Sequence, residues 1–267
     1  MNQQNTKKLF LKSKNFSHKV QNYFKIYDEH FSKYRNKSIT FVEIGVHNGG
    51  SLEIWKKYFG SKVRIIGIDI NPECKIFEDK QVEIVIGNQS DPKFWKKFFN
   101  RFGKVDIILD DGGHTNLDQI ITTVECVKNI NDGGILLIED THTSYFKKYN
   151  SDKHFSFIDF AKKIIDDVNF NSELGINKKF KFSLNKYIYS TIFYSSCVIF
   201  NINRKRTNQG QNIKNKSLDH GIKDLTWEGN EINIKKIKNL SNFKIYKNFL
   251  KFFKKKVNTK IIKKYFL

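Results

Sequence analysis

Two stretches of this sequence end in acidic residues whose types and spacing suit metal binding or catalysis. Residues 107–114 read Ile-Ile-Leu-Asp-Asp-Gly-Gly-His, and residues 136–140 read Leu-Leu-Ile-Glu-Asp. Each is a short apolar run that ends in paired carboxylates, as expected of a buried parallel strand that reaches the ligand-binding edge of an α/β sheet. Carboxylates gathered at one edge repel one another unless a cation or a proton intervenes. The pattern therefore predicts a divalent metal site.

Alternating strand and helix patterns surround these two acidic ends. Predicted strands cover 39–46, 63–69, 82–87, 105–110 and 135–139, and predicted helices cover 52–59, 93–102, 117–129 and 155–168. This alternation predicts a Rossmann-like α/β fold with a doubly wound, mostly parallel sheet. Two further strands within 187–203, interrupted near Tyr194 and Ser195, would complete a seven-stranded sheet, and an antiparallel pairing is one option for them.

The region before the first strand predicts an N-terminal helical cap at 1–38. Residues 1–14 are polar and basic and are expected to be mobile. Apolar and aromatic residues then recur at helical spacing between 16 and 34. One interpretation is a helix packed on the sheet. The other is a lid that presents Tyr23, Tyr27, His30 or Tyr34 to a substrate, and the two are compatible.

The turn after the first strand combines glycines with the start of a helix. Gly45, Gly49 and Gly50 would let backbone amides approach a ligand, and the helix N-terminus adds partial positive charge. Because the spacing is not Gly-x-Gly-x-x-Gly, a NAD-dependent dehydrogenase is disfavoured. Asp69, at the end of the second strand, is placed either to bind the ribose of a nucleoside cofactor or to cap the turn that contains Pro72.

The third strand is followed by a polar turn, Asn88-Gln89-Ser90-Asp91-Pro92. Gln89 and Ser90 lie where the adenine edge of such a cofactor would be expected. Asp91 directly before Pro92 is typical of a helix start, so we expect it to be an N-cap.

Length, composition and cysteine usage favour one large cytoplasmic domain with extensions. The chain has 267 residues, 39% of them hydrophobic, which is enough for a sizeable core. Its three cysteines, Cys74, Cys126 and Cys197, are far apart and outside any Cys-x-x-Cys spacing, so they predict neither a disulfide framework nor a zinc site. No apolar leader and no long apolar run is found, so no transmembrane segment is expected.

Positive charge is concentrated in a C-terminal extension, 204–267. This part carries 18 Lys and Arg against 4 Asp and Glu, which is +14 of the total net charge of +21. Residues 204–230 are irregular, and 235–267 predict a basic amphipathic helix that docks on the domain or on a second subunit, with peripheral membrane contact as the alternative. A nucleic-acid-binding or RNA-modifying protein is a rival class, but no recognition motif supports it and we expect no nucleic-acid partner.

Taken together, the motifs resemble those of class I S-adenosylmethionine-dependent methyltransferases. The resemblance is carried by residues 42–46, 49–51, 67–70, 87–91, 109–114 and 138–140. Within that superfamily the chain is most similar to the metal-dependent sugar O-methyltransferases of the mycinamicin and macrocin type. The resemblance covers about residues 39–145, inside a methyltransferase domain that we place at 39–203. His47 and Asn88 depart from the pattern, since many relatives have glycine and Asp at these positions.

The resemblance implies a role for each matched residue. The cofactor S-adenosylmethionine would be bound by residues of the glycine turn and of the following strand ends: Glu43, Gly45, Asn48, Gly49, Ser51, Asp69, Ile70, Gln89, Ser90 and Asp110. A divalent cation, Mg²⁺, would be bound by Asp111, Glu139 and Asp140. Asp111 and His114 would be catalytic, with His114 as the general base. The substrate would contact Tyr23, Tyr27, His142 and Tyr145.

Three of these assignments have alternatives. Side chains alternate along a strand, so Asp110 could be the metal ligand in place of Asp111. His114 could orient a carboxylate instead of accepting a proton. His142 could be a substitute base, or simply a residue of a surface turn.

The chemistry implied is methyl transfer to a sugar hydroxyl. A chelated dication positions the acceptor and lowers the pKa of its hydroxyl, and an imidazole can then take the proton. We expect the acceptor to be a nucleotide-linked sugar, for example a heptose, in surface polysaccharide biosynthesis, and the enzyme to be a homodimer. A hydroxylase of the cephalosporin hydroxylase type is the alternative enzyme, although the sequence lacks a 2-His-1-carboxylate triad.

Overall fold

The sheet of the computed structural model has seven strands, five of them parallel. The strands are β1 Thr40–Ile44, β2 Arg64–Asp69, β3 Val82–Ile86, β4 Val105–Asp110, β5 Ile130–Ile138, β6 Ile188–Tyr194 and β7 Cys197–Ile202. Their spatial order is β3-β2-β1-β4-β5-β7-β6. β1 to β5 are parallel, whereas β7 runs antiparallel to both β5 and β6. The predicted mostly parallel, seven-stranded sheet is confirmed.

The structure describes residues 5–149, 155–169, 183–207, 215–218 and 221–222. The chain divides into two compact units, 1–211 and 212–267, and every helix and strand named here lies in the first. The predicted basic helix at 235–267 lies outside the described residues. None of the helices in the described ranges is long and apolar enough to cross a membrane.

Helices cover both faces of the sheet. They are α1 Thr6–Phe10, α2 Tyr23–Phe31, α3 Gly50–Phe59, α4 Pro92–Phe102, α5 Asn116–Cys126, α6 Phe157–Asn169 and α7 Arg204–Thr207. Short 3₁₀ turns lie at Ser32–Tyr34, Pro72–Phe77, Val127–Asn129, Thr141–Tyr145 and Lys147–Tyr149. The apolar residues of α1, α2 and α3 pack on one face, and those of α4 and α6 pack on the other.

The two faces differ because successive strand residues point to opposite sides. In β4, Ile107 and Leu109 join the core under α2 and α3, while Ile108 joins the opposite core. The first core is aromatic, and the ring centroids of Phe41 and Trp55 are 5.1 Å apart. This dense packing fixes β1 and β4, the strands that end at the predicted site.

The N-terminal region differs from the prediction. Residues 6–10, expected to be mobile, form α1, in which the hydroxyl of buried Thr6 donates to the Phe24 carbonyl at 3.0 Å. The helix predicted across 16–34 is restricted to α2 and a 3₁₀ turn, which leaves 15–21 without helix or strand. Helical spacing in 16–22 is therefore not expressed as a helix, because tertiary contacts outweigh a weak local pattern.

The fifth strand is longer than predicted. Asn131-Asp132-Gly133-Gly134, expected to be a turn, belongs to β5, and the pairing register with β4 shifts between Val105 and Ile107. Such an irregularity allows a Gly-rich segment to stay in the sheet. By contrast Asp91 is the expected N-cap of α4, since its side chain accepts from the Lys93 amide at 2.9 Å.

Candidate functional site

The site lies where the order of the parallel strands reverses, between β1 and β4. The Asp111 amide donates to the Ile44 carbonyl at 3.0 Å, so the chain leaving β4 runs against the chain leaving β1. Gly45 has a φ of +91°, and a Cβ there would lie 2.0 Å from the Asp111 carbonyl oxygen. Glycine at position 45 is thus required by the close approach of these two strand ends.

The two aspartates that end β4 have different environments. Asp110 is 1% exposed and accepts from Gln89 Nε2 at 3.0 Å and from the Gly112 amide at 3.2 Å. Burial raises the pKa of Asp110 to about 6. Asp111 points instead toward His114 and Lys19. Asp111 is therefore the aspartate placed for a cation, and Asp110, predicted to touch the cofactor, does not line the cavity described below.

Asp111, His114 and Asp140 form a cluster at the ends of β4 and β5. One donor atom of each lies within 4.8 Å of the others. His114 Nε2 is 3.5 Å from Asp140 Oδ2 and 3.8 Å from Asp111 Oδ1. The buried Nδ1 of His114 has no hydrogen-bond partner among the described residues. Two carboxylates and an imidazole at half-buried positions form a donor set that fits a divalent cation, and it is not the 2-His-1-carboxylate set of iron oxygenases.

Glu139, the remaining predicted ligand, is bound by other groups. It is fully buried and accepts from the Tyr27 hydroxyl and from Lys19 Nζ, the latter at 2.9 Å. Lys19 Nζ also lies 2.5 Å from Asp111 Oδ2. Burial raises the pKa of Glu139 to about 8. Burial opposes the charge on Lys19, but Asp111 and Glu139 outweigh it and hold the pKa of this lysine well above its usual range.

Lys19 lies in the site but was not predicted from the sequence. It is one of 48 Lys and Arg residues and belongs to no motif. Its partners Asp111 and Glu139 lie 92 and 120 positions away in the sequence. No local pattern distinguishes it from the exposed lysines around it.

The tyrosines predicted to contact substrate are instead buried beneath the cluster. Tyr23 and Tyr27 are each 1% exposed. The Tyr23 hydroxyl donates to Asp140 Oδ1 at 2.5 Å, and Tyr27 donates to Glu139. Burial raises the pKa of both phenols, so both remain donors at neutral pH. In this arrangement they orient carboxylates, and the predicted substrate contacts of Tyr23 and Tyr27 remain predictions.

A cavity of about 620 Å³ lies beside the cluster, at the carboxyl ends of β1 to β4. Predicted cofactor residues that line it are Gly45, Ser51, Asp69, Ile70, Gln89 and Ser90. Asn48 and Gly49 do not line it, whereas His47 and Gly50 beside them do. Further residues of its wall that were not predicted come from the loop before α2, from the turn after β4 and from the first turn of α5, among them Phe16, Ser17, His18, Gly112, Gly113 and Asp118.

Glu43 lies below the cavity wall. Its carboxylate accepts from Ser51 Oγ at 2.9 Å and from Trp55 Nε1 at 3.1 Å, and the residue is fully buried. Burial raises the pKa of Glu43 to about 7. Glu43 thus fixes the first turn of α3, and its predicted contact with the cofactor remains a prediction.

Asp69 has surroundings that are compatible with both roles predicted for it. It lines the cavity, and its carboxylate accepts from the amides of Val46, His47 and Asn71 at 2.8, 3.0 and 2.9 Å. Burial alone would raise the pKa of Asp69, but these backbone donors lower it below its usual value. His47 has a φ of +48°, a backbone conformation that glycine adopts without strain.

His142 and Tyr145 lie at a neighbouring cavity rather than at the first. That cavity, of about 520 Å³, is lined by both residues together with Phe193 and Ser196. His142 Nδ1 is hydrogen bonded to Ser196 Oγ and lies 3.9 Å from Asp140 Oδ1. Tyr145 is 69% exposed. The predicted substrate contacts at these positions remain predictions.

The fold of this chain is the Rossmann-like α/β fold of methyltransferases, and the site lies at the carboxyl ends of its parallel strands. No family model matches the chain. A tetracenomycin C rhamnosyl 2'-O-methyltransferase of Streptomyces olivaceus is 30% identical over 161 residues, which is 56% of this chain and 42% of that protein. Demethylmacrocin O-methyltransferase of Streptomyces fradiae is 34% identical over 134 residues, which is 47% of this chain and 33% of that protein.

A solved structure of a methyltransferase has a similar fold. The MycE methyltransferase of the mycinamycin biosynthetic pathway, in complex with Mg and SAH, superposes with a TM-score of 0.64 and 25% identity, covering 70% of this chain and 50% of that one. The homologues of this chain are sugar O-methyltransferases, so the resemblance stated from the motifs is confirmed. The matches span less than half the length of these two curated relatives.

Proposed function

We propose that this protein is an S-adenosylmethionine-dependent O-methyltransferase that acts on a sugar hydroxyl with the assistance of a divalent cation, Mg²⁺ by preference. The observation that carries the proposal is the convergence of Asp111, His114 and Asp140 beside the cavity at the strand ends. The homology to sugar O-methyltransferases and to MycE supports it.

The cavity walls suit a nucleoside cofactor. The Asp69 carboxylate stands at the end of β2, where the ribose hydroxyls of a bound nucleoside would meet it. Gly45 and Gly50 bring backbone close to the cavity without side chains. The amide of Gln89, predicted to neighbour the adenine, is already engaged by Asp110 and by the Gly113 amide, so it supports the wall of the cavity.

The residues of the cluster would have different roles. Asp111 and Asp140 would hold the cation, which when bound chelates the acceptor and lowers the pKa of its hydroxyl. His114 Nε2 faces the same space and is placed to take the hydroxyl proton as the methyl group is transferred. The phenols of Tyr23 and Tyr27 fix two of the carboxylates, so the acceptor meets a pre-oriented site.

The acceptor that we propose is a sugar. The printed names of the relatives above describe methylation of rhamnosyl tetracenomycin and of demethylmacrocin, which are glycosides. A nucleotide-linked sugar of polysaccharide biosynthesis, expected from the sequence, has no support in these names. Both kinds of acceptor belong in the test.

The proposal is tested by binding and turnover in two variants. Wild type should bind S-adenosylhomocysteine and Mn²⁺ in calorimetry and should add one methyl group to a sugar acceptor, detected by mass spectrometry, from a panel of glycosides and nucleotide-linked sugars. Asp111→Asn should weaken Mn²⁺ binding by about tenfold or more and keep S-adenosylhomocysteine affinity. His114→Gln should lower kcat by roughly 10² to 10⁴ while cofactor affinity is kept.

Asp79→Asn is the matched control, because Asp79 forms a surface ion pair with Lys56 far from the cluster in the fold. It should bind Mn²⁺ and turn over like wild type. Full activity of wild type in excess chelator would remove the cation from the proposal, and an unchanged kcat in His114→Gln would remove His114 as the base.

A further inference from the structure

Lys19 occupies the position that a cation shared by Asp111 and Glu139 would take. Its Nζ lies 2.5 Å from Asp111 Oδ2 and 2.9 Å from Glu139 Oε2, and its side chain is 3% exposed. Both oxygens of buried Glu139 are occupied, Oε1 by the Tyr27 hydroxyl and Oε2 by Lys19. A second cation placed beside the ammonium on these carboxylates would be repelled by it. A divalent cation that binds Glu139 must therefore compete with Lys19.

Lys19 belongs to a segment that is otherwise weakly attached, the Lys19 segment, residues 15–21. It contains no helix or strand. Apart from the two ion pairs of Lys19, the described part of the chain shows no side-chain hydrogen bond from this segment to the sheet or its helices. Phe16 is 65% exposed and Val20 is 40% exposed. Among the described residues, the Lys19 ammonium thus supplies the side-chain polar contacts of the segment with the strand ends.

Both ends of the Lys19 segment are fixed. On the N-terminal side, Ser13 Oγ donates to the Gly50 carbonyl at 3.1 Å and the Lys14 amide donates to Glu53 at 2.8 Å. On the C-terminal side α2 begins at Tyr23, which is buried. The segment can therefore leave the carboxylates as a loop without disturbing the helices on either side.

The Lys19 segment also forms part of the cofactor cavity. Phe16, Ser17 and His18 line it, and the carbonyl oxygens of Asn15 and Phe16 lie close to Gly50 at the start of α3. Release of Lys19 would thus change the metal site and the cavity wall together.

We propose that Lys19 is a tethered cation that competes with the divalent cation for Asp111 and Glu139, so that metal binding to this pair displaces residues 15–21. The inference rests on the proposed function, since it assumes a divalent cation at the cluster. With Lys19 bound, Asp111 and Asp140 are the carboxylates left for the metal. With Lys19 released, Glu139 joins them, and the full set of carboxylates predicted from the sequence is assembled.

The first test measures trypsin cleavage in the wild-type protein, which needs no variant to fold. Cleavage after Lys19, whose side chain is 3% exposed, is compared without Mn²⁺ and with saturating Mn²⁺, and cleavage after Lys80, exposed in the turn before β3, is the reference. Displacement should raise the rate of cleavage after Lys19 several-fold, whereas the rate after Lys80 should not change. An unchanged rate after Lys19 with Mn²⁺ bound would overturn the proposal and leave the metal site itself standing.

The second test compares Mn²⁺ affinity in Lys19→Met and Lys14→Met. Both remove one positive charge from the same stretch, but the Lys14 residue is exposed. If the Lys19-released form is a minor state of at most about 10%, removing the ammonium should tighten Mn²⁺ binding by about tenfold or more, and Lys14→Met should change it little. Equal affinities in the two variants would contradict competition. Absence of Mn²⁺ binding in wild type and in both variants would contradict the metal site of the proposed function as well.

Discussion

At the scale of single residues, the site is built from backbone conformations that most side chains avoid. His47, His114 and Asp140 have φ values of +48°, +57° and +51°. Such conformations cost on the order of 1–3 kcal/mol each and persist only where the surroundings enforce them. Here the Asp69 carboxylate binds the His47 amide, the Thr143 hydroxyl donates to the His114 carbonyl at 2.7 Å, and the Asp140 amide donates to the Tyr23 hydroxyl. These bonds fix the directions of the imidazole and carboxylate groups.

A glycine substitution tests the packing of the two strand ends. Gly45→Ala places a Cβ 2.0 Å from the Asp111 carbonyl oxygen, so we expect it to lower the free energy of unfolding in urea by at least about 2 kcal/mol. Gly133→Ala is the control, because its φ of +86° is similar but nothing lies within 4 Å of the added Cβ. It should cost only the backbone strain, roughly 1–2 kcal/mol. Equal decreases in the free energy of unfolding of the two variants would show that the close approach of residue 45 to Asp111 does not contribute to the decrease.

At the scale of elements, the turn between β4 and α5 positions His114. Thr115 and Asp118 form a capping box at the start of α5: the Asp118 amide donates to Thr115 Oγ1 at 3.2 Å, and the Thr115 amide donates to Asp118 Oδ2 at 3.3 Å. The cap satisfies backbone groups that the first helical turn leaves unpaired. Because His114 directly precedes the cap, the start of the helix also fixes the course of the chain through the cluster.

Thr115→Ala should lower the free energy of unfolding by about 1 kcal/mol, the usual effect of losing an N-cap. It should also weaken Mn²⁺ binding measurably, because the turn that carries His114 loosens. Asp91→Ala removes the cap of α4, whose bond to the Lys93 amide is 2.9 Å, and should cost similar stability without weakening Mn²⁺ binding. Identical Mn²⁺ affinity in the two variants would show that the cap of α5 does not affect metal binding at the cluster.

At the scale of the whole molecule, buried and exposed carboxylates oppose each other in their effect on stability. Surface carboxylates such as Asp79 and Asp132 have a lowered pKa, since Lys56 and Arg204 beside them outweigh burial. Their contribution to stability is present above the unfolded pKa and is lost as the solution is acidified. The raised pKa of buried Glu43, about 7, acts in the opposite sense: its contribution is fully present below its ordinary pKa near 4.5 and is lost as pH rises to about 7.

The free energy of unfolding should therefore reach its maximum near pH 5 and fall toward neutral pH. One pKa unit corresponds to about 1.4 kcal/mol, so Glu43 alone accounts for a decrease of roughly 3 kcal/mol between pH 4.5 and 7 at most. Urea unfolding across this range should show a flatter profile in Glu43→Gln than in wild type. Parallel profiles would indicate that Glu43 does not titrate in this window.

The sequence by itself determined the order of the elements and the residues that end them. β4 is predicted to the residue, the other parallel strands are predicted closely except the start of β5, and the glycine turn and the acidic ends lie where expected. These features are local: apolar runs of strand length, turn glycines and caps are encoded within a few neighbouring positions. Parallel pairing then brings the ends of β1, β2, β4 and β5 to one edge, so Asp111, His114 and Asp140 meet without further information.

Only the tertiary structure decided which atoms are free to bind a ligand. It separated Asp110 from Asp111, buried Glu43, Tyr23 and Tyr27, and brought Lys19 to Asp111 and Glu139 across 92 and 120 positions of sequence. The reason is that burial and ion pairing depend on groups from distant parts of the chain, and such contacts leave no periodic trace in the sequence. A lysine among many becomes part of the site because the loop before α2 crosses the ends of β4 and β5.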